Sequence, residues 1–89
     1  MTEIEKELEK LREEIDKIDE NLVKILNERT KIVLKVKKLK AEGAFPVYDP
    51  RREEEIFEKI SACNSGPLYD DAIHEIYEVI LHCMKDLEK

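Results

Sequence analysis

Arg29 stands on a face of the chain where a charge is out of place. The series Ile4, Leu8, Leu11, Ile15, Ile18, Leu22, Ile25, Arg29, Ile32, Val36, Leu39 steps by four and three without a slip. That is the repeat of a helix whose seam packs on another helix. A guanidinium on such a seam needs an anion, because an unpaired buried charge is strongly destabilising. Either another side chain or a ligand supplies it. Lys40 follows eleven residues later, turned from Arg29 by about 20° and displaced roughly 16 Å along the axis, so the two share a face. Long side chains leaning towards a point between them can grip two ends of one small anion. Arg29 can equally serve as a polar residue that sets register in the seam, and the spacing leaves both readings open.

Other groups are weaker candidates. Arg12 borders the same stripe seventeen residues before Arg29, roughly 25 Å away. It cannot reach a small molecule held by Arg29 and Lys40 of its own chain, but in an antiparallel pair the partner subunit's Arg12 can arrive there. Alone, Arg12 is an ordinary surface arginine. The run Asp49-Pro50-Arg51-Arg52-Glu53 gathers backbone N–H groups, a cation and a carboxylate in one place, although helix capping explains Asp49 and the glutamates without any chemistry. His74, Glu78 and His82 are spaced four apart. Adjacent pairs can chelate, but the two histidines lie about 12 Å apart along a helix and cannot share one ion, so they read as surface residues. Cys63 and Cys83 lack metal or redox spacing and read as small apolar side chains of a reducing compartment rather than as a disulfide. No Gly-rich phosphate loop, Ser/His/Asp set or thiol with an assigned base is present.

The elements that must position these groups follow from the same pattern. Eighty-nine residues, 1–89, make one domain. The first helix is expected from Thr2, as its cap, to about Glu42, with Glu3 and Glu5 near its positive end. Such a rod is about 60 Å long, and the remaining residues cannot cover it, so a homodimer is expected. A second apolar row, Leu26 and Val33, widens the stripe for more than one neighbour, while Lys31, Lys35, Lys37 and Lys38 read as a solvated face. Gly43 is the expected stop. After the loop 44–48, Asp49 and Pro50 open a second helix, Pro50 to about Cys63, with a short apolar face of Ile56, Phe57 and Ile60. Asn64-Ser65-Gly66-Pro67 breaks it. Asp70 or Asp71 is expected to cap a third helix lasting to the C-terminus, its stripe formed by Ile73, Ile76, Tyr77, Ile80, Met84 and Leu87. The fold class is all-α: three helices, long, short and medium, in a paired chain. With 43% charged residues and a net charge of −6, the chain lacks the basic footprint of a nucleic-acid binder. No apolar run fits a membrane span or a signal-peptide core, which points to the cytoplasm.

Several pieces together carry a resemblance. Leu11-Arg12-Glu13-Glu14-Ile15-Asp16 with Ile18-Asp19, then Leu26-Asn27-Glu28-Arg29, then Val36 to Lys40, Pro46-Val47, Asp49 and Arg52-Glu53 resemble, in order and spacing, the small all-helical chorismate mutases over essentially the whole chain. The resemblance implies an intertwined three-helix homodimer with two active sites, each using residues of both chains. It implies the rearrangement of chorismate to prephenate, an intramolecular [3,3] shift on the route to phenylalanine and tyrosine, without covalent intermediate, metal or cofactor. Carried over by position, Arg29 and the partner subunit's Arg12 bind the carboxylates, and Lys40 contacts a carboxylate and the ether oxygen. Glu53, with the backbone around Asp49, binds the ring hydroxyl, and Arg52 adds positive potential beside the enolpyruvyl carboxylate.

The third helix departs from the family pattern. Anchored on Tyr77, the usual small hydroxyl residue falls on Met84, which removes a polar contact. The glutamine that helps hold the ether oxygen falls on Glu88. A carboxylate donates a hydrogen bond only when protonated, so activity is expected to rise as pH falls below neutral. A Glu88→Gln variant should lose that dependence, and a profile identical to the parent's contradicts the assignment. Two other readings remain: an isochorismate pyruvate lyase on the same fold, and a helical dimerisation module in which Arg29 only sets register. Arg29, Lys40 and Arg52-Glu53 occurring together favour the mutase.

Overall fold

The computed structural model describes residues 1–46 and 48–87. They form three helices, α1 (Glu3–Glu42), α2 (Pro50–Cys63) and α3 (Asp70–Lys85), with no strand among the described residues. The long, short and medium order is the expected one. The chain resolves into two units, Met1–Ile32 and Val33–Lys89.

The first unit is a single stretch of α1. Its start is locked by a reciprocal cap: the Glu5 amide donates to Thr2 Oγ1 at 3.1 Å and the Thr2 amide donates to Glu5 Oε1 at 2.9 Å, which satisfies two orphan donors of the first turn. The Thr2 amide foremost, and after it the Thr2 side chain, hold the Glu5 carboxyl below its usual range. The seam lies open. Ile4, Leu11, Ile15, Ile18, Ile25 and Ile32 are each more than half exposed, an apolar face far more continuous than a solitary helix in water tolerates.

The second unit begins with the last turns of α1. The Phe45 amide donates to Lys40 O at 2.8 Å and the Ala44 amide to Ala41 O at 3.3 Å, the paired bonds of a Schellman ending. The left-handed residue of that ending is Ala44, at φ 58°, rather than Gly43. A Cβ on Gly43 would come within 2.8 Å of the Phe45 ring, which is exposed and would have to shift. At the start of α2, Asp49 Oδ1 accepts from the Arg52 amide at 3.1 Å, with Pro50 in the first turn. α2 packs on α3. Ile56, Phe57 and Ile60 are half-buried on one helix, and Ile73, Tyr77, Ile80, Leu81 and Met84 on the other. Phe57 stacks on the His74 ring with centroids 4.0 Å apart, so His74 contributes to this packing as well as to the surface.

Four expectations need correction. Neither Asp70 nor Asp71 caps α3. Its N-cap is Tyr69, without a side-chain bond, because the Asp70 carboxylate is taken by Asn64 Nδ2 at 2.7 Å. Asn64 also donates to Leu68 O and accepts from the Gly66 amide, tying the turn together, and both aspartates still place negative charge in the first turn. α3 ends at Lys85 with Asp86 as its C-cap, short of the C-terminus, and Glu88 lies outside the described residues. Ile76 is 48% exposed, because it sits at the margin of a face centred on Ile73, Tyr77, Ile80 and Met84. Leu81 takes the half-buried place instead.

The fourth correction concerns Lys37, which is not part of a solvated face. Its ammonium donates to Met84 O at 2.8 Å, Leu87 O at 3.1 Å and Lys85 O at 3.3 Å. A cation there binds carbonyls at the helix end and meets the negative end of its dipole. Lys37→Met should therefore lower stability by about 1–2 kcal/mol, read from urea unfolding. An unchanged midpoint would contradict the role.

Among the described residues no helix is long and apolar enough to cross a membrane, and no side chain is fully buried within the single chain.

Candidate active site

The first unit holds two of the expected cations. Arg12 is exposed on α1. Arg29 is half-buried, and its Nη1 is shielded from solvent with no hydrogen-bond partner among the described residues. A shielded N–H of a guanidinium that finds no acceptor carries the desolvation penalty without the compensating bond. Folding of the local helix does not require this: Asn27 and Thr30 nearby turn their polar ends onto the carbonyls of Val23 and Leu26. Arg29 alone among those neighbours holds an open donor.

The second unit holds the rest. Lys40, in the last turn of α1, is half-buried, and its ammonium makes no ion pair with a described residue. Asp49 Oδ1 serves as the N-cap of α2, accepting from the Arg52 amide. Arg52 extends along its own helix to Glu55 at 3.5 Å, with both side chains about half exposed. A pair so wet contributes little to stability, so the guanidinium can be drawn to another anion at small cost. Met84 is half-buried and gives its carbonyl to Lys37.

Glu53 is held by a partner on another helix. Its side chain is 28% exposed, and Oε2 lies 2.9 Å from the Lys85 ammonium. The hydrogen bond to Glu53 pushes the Lys85 pKa above its ordinary value, with burial opposing it and the charges of Glu53, Tyr48 and Asp86 adding to it. The same ammonium sits over the Tyr48 ring, 5.3 Å from its centroid. Between α2 and α3 is a cleft of about 240 Å³ lined by Glu53, Phe57, Glu78, Leu81, His82 and Lys85. Sequence reasoning did not single out Lys85. Its partner lies thirty-two positions away on another helix, and no local spacing announces such a pair. His74 leans on Glu78 at 3.7 Å and His82 on Asp86 at 3.3 Å; no group of three or more His, Cys, Asp or Glu side chains among the described residues is placed to hold a metal.

Comparisons with known proteins converge. The family model described as chorismate mutase type II matches residues 11–89. A bifunctional chorismate mutase/prephenate dehydratase of Aquifex aeolicus is 40% identical over 94% of this chain, which spans 24% of that relative, about a quarter of its length. Form II of the Thermus thermophilus chorismate mutase superposes with a TM-score of 0.89 at 33% identity, covering 91% of this chain and 92% of that one. The Helicobacter pylori chorismate mutase, solved in complex with prephenate, gives a TM-score of 0.80 at 33% identity over 88% and 84% of the two chains. By its matched residues, its identity to these relatives and its helical order, the chain belongs to the chorismate mutase type II family.

Proposed function

We propose that this chain converts chorismate to prephenate as a homodimer, each site drawing cations from both subunits. The observation that carries the reading is the shielded, partnerless Nη1 of Arg29. A folded protein keeps such a donor when something outside the chain supplies the acceptor, and a substrate carboxylate does so with a short, charge-assisted bond. The open seam from Ile4 to Leu39 and the lack of any fully buried side chain among the described residues support a second copy as the other half of the core.

The reaction breaks an ether C–O bond while a C–C bond forms within the same molecule, so no proton or electron need be exchanged with the protein. The site has two tasks: to hold a flexible dianion in its folded, reactive conformer, and to stabilise charge growing on the departing ether oxygen. In this reading Arg29 and the partner subunit's Arg12 fix the two carboxylates. Lys40 contacts one of them and donates to the ether oxygen, where its hydrogen bond strengthens as the C–O bond stretches. The backbone beside Asp49 and the Glu53 carboxylate hold the ring hydroxyl. Arg52 keeps local potential positive in an acidic protein, while Met84 and Glu88 complete the surroundings of the ether oxygen. The free cysteines Cys63 and Cys83, both exposed, suit a reducing cytoplasm.

The test is to add chorismate, follow the loss of its ultraviolet absorbance and identify the product. Prephenate is the expected product. No turnover, or release of salicylate and pyruvate from isochorismate instead, would overturn the reading.

A further inference from the structure

The Glu53–Lys85 pair has a geometry that the fold alone does not require. Lys85 projects from the last turn of α3, and the carbonyls of that turn are held by Lys37 of α1. From that anchored turn its ammonium reaches Glu53 Oε2 at 2.9 Å and the face of Tyr48. Capture of Oε2 leaves Oε1, among the described residues, as the open acceptor of a carboxylate that is mostly shielded from water. The other ionisable groups lining the same cleft, Glu78 and His82, face neighbours four residues away in sequence, His74 and Asp86 respectively. Half of the Lys85 side chain is exposed, so the pair adds little to folding stability.

We propose that Lys85 is a positioning residue for substrate binding: it grips Glu53 by one oxygen and presents the other to the substrate's ring hydroxyl. This rests on the reading of Glu53 given above. A hydroxyl far from the breaking bond is held equally in ground and transition states, so its acceptor acts on binding rather than on the chemical step.

The experiment compares the parent with Lys85→Met, Lys85→Arg, Glu53→Gln and the Lys85→Met/Glu53→Gln double variant, with chorismate as substrate. Lys85→Met should raise KM by about threefold to tenfold while kcat moves by less than about twofold. Lys85→Arg should recover most of the loss, and in the Glu53→Gln background Lys85→Met should change nothing further. A readout independent of turnover is the NMR titration of the Lys85 ammonium, which should fall towards the ordinary lysine value in Glu53→Gln. An unchanged KM in Lys85→Met, or fully additive effects of the two substitutions, overturns the proposal. So does a Lys85 titration indifferent to residue 53. A parent that leaves chorismate untouched is a different failure: it overturns the functional reading, and this role for the pair with it, whatever the titration shows.

Discussion

Replacing Arg29 by leucine is expected to lower kcat/KM for chorismate by about a thousandfold or more while leaving the protein as stable as the parent or more so. Both halves follow from one observation. Nη1 of Arg29 is shielded and has no hydrogen-bond partner among the described residues, so the folded state carries a desolvation penalty of about 1–3 kcal/mol that leucine would remove. Leucine also restores the seam series that runs from Ile25 to Ile32. With substrate present the balance reverses, because the same donor meets a carboxylate in a dry site. Turnover and urea unfolding of the unliganded variant together check the claim. An Arg29→Leu protein that is equally stable or more stable and keeps its turnover would mean that the arginine sets helix register and binds nothing.

The second large effect is expected at Lys40. Lys40→Met should reduce kcat by about a hundredfold to a thousandfold, the scale of removing one donor from a developing oxyanion, and should raise KM as well, since the same ammonium is assigned to a carboxylate. Lys40→Arg separates the two tasks: it keeps a cation for the carboxylate but exchanges a compact donor for a planar fork, so KM should recover further than kcat. Rapid-scan kinetics at saturating and limiting chorismate reads the split. Equal recovery of both constants would remove Lys40 from the ether oxygen.

How much of this was legible in the sequence depended on whether the cause was local. The seam residues Ile4 to Leu39, the Asp49-Pro50 start of α2 and the break at Asn64 each act within a few positions, and each appears where the pattern put it. Arg29 was visible for the same reason, as one charge in an apolar series. What could not be read were the pairings that span helices. Lys37 looked like one lysine among four on a basic stretch; only the approach of α3 shows that its ammonium closes the carbonyls at Met84, Lys85 and Leu87. Lys85 likewise gained a role through Glu53. Asp70 was misjudged as a cap because a competing donor, Asn64, lies across the turn, and a carboxylate at a helix start goes to whichever donor is best aligned.

The most direct measurement of the central claim is subunit complementation. Arg12→Ala and Arg29→Ala chains, each expected to be inactive alone, are unfolded together, refolded and assayed with chorismate. In a mixed dimer one site combines an intact Arg29 with the partner subunit's intact Arg12, while the other site lacks both. Random pairing should then restore roughly a quarter of the parent's activity. No recovery on mixing, with mixed dimers verified by mass, would contradict a site assembled from two chains around Arg29.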